Sequence, residues 1–426
     1  MKKLYYVFVA ASVVMATASC EKISGIIHGE TTTEEGLVDD KGQDLTPDEQ
    51  KVKIEETANT LMDLTDKKGW EEDYEEINST IEDLNKKEVD SEEIEKYLSD
   101  IVRAWTTFKE GDSHEVAVTV AHLTDFKGHF TENAEGKFDF KEADDLAVTV
   151  YTGDVPVTVS FSAKKEASTP YHTVDPYEDV TVYIPATATL GIKKGKKDLG
   201  SLELRFKVKD VNGDGVITED NDKVTLGYTL KVGDYSFELS DSSATIEEAS
   251  ASATLKKGKQ LIIGVTVAAT YEYKEEVQED YTYTTFTPKS ANAMVDLAGK
   301  TQIRFTVPDA DKVQELANKL SQNAEGDGEQ YKATLAELEK AYGFGVYYDG
   351  KHTLQATLGF EAVYYEEYSF WSSNPVVRFA DGTSYAVEEY FTEERFGDLV
   401  KTINDWVTDL MKYLGLYYEG DVDQVK

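Results

Sequence analysis

The chain has 426 residues, 40% hydrophobic and 11% aromatic, with 82 acidic against 44 basic side chains, a formal net charge of −38 and one cysteine. Such a charge repels phosphate backbones and excludes nucleic acid as a partner, and a single cysteine excludes a disulfide within the chain. The apolar fraction is enough to bury a core, so the acidity belongs to the surface and is not a sign of disorder.

The chain opens with MKKLYYVFVAASVVMATASCEK. Lys2 and Lys3 form a positive region, Leu4 to Ala16 an apolar run too short to span a bilayer, and small residues up to Ser19 lead to Cys20. Cys20 stands where signal peptidase II would cut and a lipid such as palmitate would be attached. The stretch resembles a bacterial lipoprotein signal. Thr17 replaces the usual Leu, and with Ser19 before the cysteine this resembles the relaxed signals of Bacteroidetes (Bacteroidales) outer-membrane lipoproteins. The resemblance implies a signal peptide over 1–19, lipid attachment at Cys20 and outer-membrane localisation with the membrane as a partner. Residues 20–45 are polar, rich in Gly and Thr, and read as a flexible tether. Glu21, Glu30, Glu34 and Glu35 loosely resemble the acidic residues that follow the cysteine in surface-exposed members. The cell surface is favoured over the periplasmic face, and both stay open.

A helical hairpin is expected over 46–110. Thr46, Pro47 and Glu49 form a helix start with a capping box, and Val52, Ala58, Leu61 and Met62, flanked by Ile54 or Thr65, give its apolar stripe. A second helical region from about Glu71 to Trp105, broken around Lys87 to Ser91, carries Ile77, Ile81, Leu84, Ile94, Leu98, Ile101 and Val102.

Over 111–306 the period changes to two. Val155, Val157, Val159 and Phe161 alternate with Pro156, Thr158 and Ser160, and Leu202, Leu204, Phe206 and Val208 alternate with polar residues. This predicts an antiparallel β domain with one wet face. A repeat runs through it: ATATLGIKKGKKDLGSLELRF (Ala186 to Phe206) and ASATLKKGKQLIIGVTVAATY (Ala251 to Tyr271) both read strand, Lys-Lys-Gly-Lys turn, strand. Gly195 and Gly258 supply the turn conformation. A helical pair follows over 307–345, begun by Asp309 as N-cap, then a β segment over 346–391, and a C-terminal amphipathic helix and tail over 392–426. The expected class is α+β: an N-terminal helical hairpin, a large antiparallel sheet with one face covered by helices, and the C-terminal helix.

DVNGDGVITEDND, Asp210 to Asp222, is the stretch most like a metal site. Asp210, Asn212 and Asp214 fall at positions 1, 3 and 5 of an EF-hand-type loop, Gly215 at the sharp turn, Val216 at the carbonyl position and Thr218 at position 9. The run resembles the calcium loops of dockerin modules. Position 12, where a carboxylate belongs, is Asn221, although Asp222 follows it, and strand-like sequences flank the loop in place of helices. A weak calcium site and a long Asx-rich turn are near balance.

Tyrosines cluster in TYEYKEEVQEDYTYTTF and VYYDGKHTLQATLGFEAVYYEEYSFW. Aromatics beside carboxylates bind sugars by stacking, but tyrosine is also an ordinary strand residue, and packing is the better account. His114, His122 and His129 lack the spacing of a zinc site, and His122 shares parity with three valines, so it reads as a buried, hydrogen-bonded histidine. G-x-S-x-G, H-E-x-x-H and phosphate-loop patterns are absent from the sequence. The sequence therefore points to a cell-envelope lipoprotein that is a non-enzymatic binding or interaction module, with calcium as a candidate cofactor and a glycan or an envelope protein as candidate partners. The alternatives are a periplasm-facing carrier of lipophilic molecules, recognisable by an apolar cavity of several hundred cubic ångströms, and a polysaccharide-active enzyme.

Overall fold

The computed structural model describes residues 45–397 apart from 66, 88, 111–114, 167–169, 175–177, 210–222, 245–246, 279–280 and 351–352. It is a mixed structure of helices and large sheets. It divides into two compact units, one comprising Met1–Thr31, Lys67–Lys259 and Val265–Pro288, the other Thr32–Asp66, Gln260–Gly264 and Lys289–Lys426, each insofar as its residues are described. Both units are discontinuous in sequence.

Helix α1 (Pro47–Leu64) opens the second unit. The Thr46 hydroxyl accepts from the Glu49 amide, and the Glu49 carboxylate accepts from the Thr46 amide at 2.8 Å, so two orphan donors of the first turn are satisfied. Ile54, Ala58, Leu61 and Met62 of the expected stripe of α1 face inward, and Val52 departs from it. Val52 is half exposed, while Gln50, Thr57 and Ala58 are buried. The cause is polar: Gln50 and Thr57 find hydrogen-bond partners inside, and those bonds set which face turns inward.

Helices α2 (Lys67–Lys86) and α3 (Glu92–Trp105) belong to the first unit. Its strands are β1 (Thr106–Glu110), β2 (Glu115–His122), β3 (Gly128–Glu132), β4 (Phe138–Lys141), β5 (Leu146–Thr152), β6 (Val155–Glu166), β7 (Tyr171–Val174), β8 (Glu178–Tyr183), β9 (Pro185–Lys194), β10 (Lys197–Lys209), β11 (Lys223–Val232), β12 (Tyr235–Ala244) and β13 (Glu248–Lys257). The large sheet of this unit runs β13-β12-β11-β10-β9-β6-β5-β3-β4, and a small one runs β1-β2-β8-β7. Pairing is antiparallel except for β3 with β5 and β2 with β8, which are parallel.

The hairpins β5–β6, β9–β10 and β11–β12 close through Gly153-Asp154, Gly195-Lys196 and Gly233-Asp234, and Gly258-Lys259 follows β13. In each the glycine has φ between 54° and 62°, while the residue after it is not left-handed. That is the type II′ pattern, whose twist matches the strands it joins. Alternation then sorts the sheet. Leu202, Leu204 and Phe206 meet Leu230, Tyr228 and Leu226 across the ladder, whereas Glu203, Arg205 and Lys207 meet Thr229, Gly227 and Thr225. The core of the unit gathers Leu84 and Ile94 from the helices with Phe130, Phe138, Val150 and Val157. The rings of Tyr97, Phe130 and the half-exposed Phe140 lie 5.1–5.5 Å apart in edge-to-face and tilted arrangements at its margin.

Strands β14 (Gln260–Gln278) and β15 (Tyr281–Leu297) contribute residues to both units. The second unit continues with β16 (Thr301–Val307), α4 (Ala310–Asn323), α5 (Gly328–Ala341), β17 (Gly343–Tyr348), β18 (Ala356–Tyr365), β19 (Phe370–Phe379) and β20 (Ser384–Ala386), then two short helices, Val387–Tyr390 and Glu393–Phe396. Asp309 caps α4 by accepting from the Lys312 amide at 2.9 Å. Its strands are ordered β20-β19-β18-β17-β16-β15. Leu320, Tyr331 and Leu335 of the helical pair pack with Phe360, Ala362 and Trp371. The expected C-terminal helix lies outside the described residues beyond Gly397.

Candidate functional site

Between α1 and the sheet of the second unit lies a cavity of about 460 Å³, partly open to the surface. Register explains its floor. Ile303, Val346, Ala356 and Phe379 sit opposite one another across four strands, and Thr301 pairs with Tyr348 and Leu358 with Val377 in the flanking rows. The roof is Ile54, Thr57, Ala58, Leu61 and Met62 of α1, and Val387, Tyr390 and Phe391 close one side. Where roof and floor approach, the side chains are short: Thr57 and Ala58 above, Thr301 and Ala356 below. That shortage of volume leaves the space open. It is about three times an engineered cavity of about 150 Å³ that stays dry and binds benzene, and it falls within the roughly 300–1,000 Å³ of small-molecule pockets.

The wall is apolar except for six residues, and each has its place. Gln50, fully buried, donates to the carbonyls of Leu45 (3.2 Å) and Gln355 (2.7 Å), and its Oε1 accepts from the Tyr348 hydroxyl at 3.3 Å. Thr57 donates to the Lys53 carbonyl at 2.8 Å and lies 2.7 Å from the Thr301 hydroxyl. Tyr390 donates to the Pro47 carbonyl at 2.9 Å. Thr357 sits between Ala356 and Leu358 in β18, so its side chain alternates to the other face with its partner Arg378. No Asp, Glu, Lys, Arg or His is among the described residues that line the space. Burial holds the Tyr348 phenol well above its ordinary range, and it pushes Tyr390 up to about 12 even though the Arg395 guanidinium pulls the other way. Both tyrosines are therefore neutral hydroxyls. Such a chamber can exclude water and enclose apolar matter, and it has no group for acid–base or nucleophilic work at neutral pH.

Cys20 and the whole of Asp210, Asn212, Asp214, Val216, Thr218, Asn221 and Asp222 lie outside the described residues, as does His114. Among the described residues no group of three His, Cys, Asp or Glu side chains is placed to hold a metal. His122 is hydrogen-bonded, its Nδ1 lying 3.0 Å from Glu166, and it stacks on Tyr183 at 4.5 Å. It is about a third exposed, which corrects the buried placement that its parity predicts. The cause is the strand: Val120, of the same parity, is itself exposed and Ala121 between them is buried, so the valine face of β2 is not its inner one. His129 pairs separately with Asp145 at 2.9 Å.

The second tyrosine cluster is split. Tyr347 and Tyr348 are core, whereas Tyr364, Tyr365 and Tyr368 stand exposed at the tip of the β18–β19 hairpin beside Glu366 and Glu367. Sequence reading assigned Ala58, Leu61 and Met62 to a packed stripe and so missed the cavity. The only signal was the smallness of residues whose pairing is invisible without the register.

No family model matches the chain, and no curated protein matches it. Among solved structures, a porin-like protein from Bacteroides vulgatus aligns with 66% of this chain and 95% of its own at 12% identity, with a TM-score of 0.12, which shows no common fold. No described helix is long and apolar enough to cross a membrane.

Proposed function

We propose that this chain is a lipid-anchored cell-envelope protein whose second unit binds a lipophilic small molecule, without catalysing a reaction. The cavity between α1 and the sheet is the observation that carries the reading: it has ligand-sized volume, an apolar wall and an opening. Water is a poor occupant, since a buried water needs two to four polar partners and the wall supplies hydrogen-bonding groups only around Gln50, Thr57, Thr301 and Tyr348. An apolar ligand recovers the contacts that the space forgoes.

The test is titration of the Cys20→Ser chain with a fluorescent hydrophobic probe such as N-phenyl-1-naphthylamine. Saturable 1:1 binding is expected, with loss of binding in an Ala58→Trp variant that retains its circular dichroism. Absence of saturable binding sinks the reading.

Anchorage through Cys20 rests on the signal sequence, and outer-membrane attachment with the cell surface favoured goes with it. Labelled palmitate should enter the native chain and not Cys20→Ala, and protease added to intact cells decides between the surface and the periplasmic face that a carrier would use. Calcium at Asp210 to Asp222 remains part of the proposal. Millimolar calcium, but not magnesium, should raise the melting temperature, and the rise should vanish when Asp210 and Asp214 are both Ala.

A second reading, glycan or envelope-protein contact, is favoured by the exposed Tyr364, Tyr365 and Tyr368 beside two glutamates. Glycan-array binding that depends on Tyr368 would support it.

A further inference from the structure

The polar atoms of the cavity wall differ in what they have left to offer. Five of the six polar side chains there can be traced to a partner. The two amide protons of Gln50 go to the main-chain carbonyls of Leu45 and Gln355. The Tyr348 proton goes to Gln50 Oε1, and the Tyr390 proton to the Pro47 carbonyl. Thr57 spends its proton on the Lys53 carbonyl, so the short contact between Thr57 and Thr301 requires Thr301 to be the donor. The side-chain protons of Gln50, Thr57, Thr301, Tyr348 and Tyr390 are thereby committed within the protein, and Thr357 turns its side chain to the other face of β18 with Arg378. What remains is oxygen lone pairs, chiefly on Tyr348 and Thr301, which face each other across the β16–β17 ladder.

An acceptor-only wall without a cation discriminates among amphiphiles. A carboxylate or phosphate would enter with no donor to meet it and no positive charge to pair with, and an unpaired buried ion is among the most costly arrangements in a protein. The cations of α1 and the C-terminal short helices beside the space are engaged elsewhere: Lys53 pairs with Asp349 at 2.9 Å and Arg395 with Asp48 at 2.7 Å. A hydroxyl group, by contrast, supplies the proton that the wall lacks. We propose that the cavity selects an uncharged lipid whose polar end is a hydrogen-bond donor, such as a long-chain alcohol or a hydroxyl-bearing neutral lipid, and rejects free fatty acids. The proposal rests on the reading of the cavity as a binding site and adds the chemical class of its occupant.

Three probes of equal chain length separate the possibilities: 1-dodecanol, dodecyl methyl ether and sodium dodecanoate at pH 8, each competing with N-phenyl-1-naphthylamine on the Cys20→Ser chain. The ether is more lipophilic than the alcohol and accepts but does not donate, so partition alone ranks it first. The wall predicts the reverse. Dodecanol should displace the probe at about two- to tenfold lower concentration than the ether, the worth of one neutral hydrogen bond, and dodecanoate should be the weakest. In a Thr301→Val/Tyr348→Phe variant, which removes both acceptors while keeping shape, the preference for alcohol over ether should disappear. An ether that binds as well as the alcohol, a dodecanoate that binds as tightly, or a preference that survives in the double variant each overturns the proposal while leaving lipophilic binding intact. Failure of the probe itself to bind overturns the binding reading instead.

Discussion

Both units pack helix side chains against a largely antiparallel sheet: the first gathers large side chains into a cluster, and the second leaves an apolar chamber of about 460 Å³ among its described residues. In the first unit Leu84 and Ile94 meet Phe130, Phe138, Val150 and Val157, and an aromatic trio lies at the margin. Gly128 shows how tight the fit is: a Cβ there would lie 2.3 Å from the Phe140 ring. In the second unit α1 brings Thr57 and Ala58 over Thr301 and Ala356, and the volume is missing. The hydrophobic pattern brings the elements together in both cases, and side-chain size decides whether anything is left to bind a ligand.

Large-to-small changes test that contrast most strongly. Phe130→Ala should destabilise the first unit by about 3–5 kcal/mol, the usual cost of a new cavity in a packed core. Leu61→Ala on the chamber wall should cost less than about 2 kcal/mol, because the atoms removed already border open space. Urea unfolding of the two variants measures both, and equal costs would erase the distinction. Gln50→Ala should cost about 1–3 kcal/mol, since it strands the Leu45 and Gln355 carbonyls and the Tyr348 hydroxyl in a buried place. In the opposite direction, Ala58→Leu should make the second unit resemble the first. It is expected to raise stability by about 0.5–2 kcal/mol, as cavity filling commonly does, and to weaken probe binding.

The smallest effect is in alkaline solution. Tyr390 is held at about 12 against an ordinary 10.0, so the folded state keeps the phenol proton more tightly than the unfolded chain does. Its contribution is intact below pH 10 and falls as the pH rises from there through about 12. The urea midpoint should decline over that window, and the decline should be shallower in Tyr390→Phe.

Local chemistry was legible in the sequence. Thr46 and Asp309 announce their helices, Gly195 and Gly258 their turns, and the alternation from Val155 to Phe161 its strand. Such features are written within a few residues of one another. That Gln50 and Thr57 share the inner face of α1 with Ala58, Leu61 and Met62 was not legible, because they look like surface residues until Gln355 and Thr301 are brought to them. The chamber was illegible for the same reason: the row Ile303, Val346, Ala356, Phe379 exists only once four separate strands are in register. His122 shares its face with Val120, which is exposed, while Ala121 on the opposite face is buried, so valine parity does not mark the inner side of β2.

The bond from Gln50 to the Gln355 carbonyl joins residues 305 positions apart. At about 5–20 residues per second, a ribosome needs roughly 15–60 s to deliver the second partner after the first. For all that time α1 is without the strands that cover Ile54, Ala58 and Leu61, so the segment made first is among the last to find its place. Completion of this unit thus waits for residues made late in synthesis, and α1 stays uncovered until they arrive. The contact that closes the unit cannot form before the segment bearing Gln355 has been made.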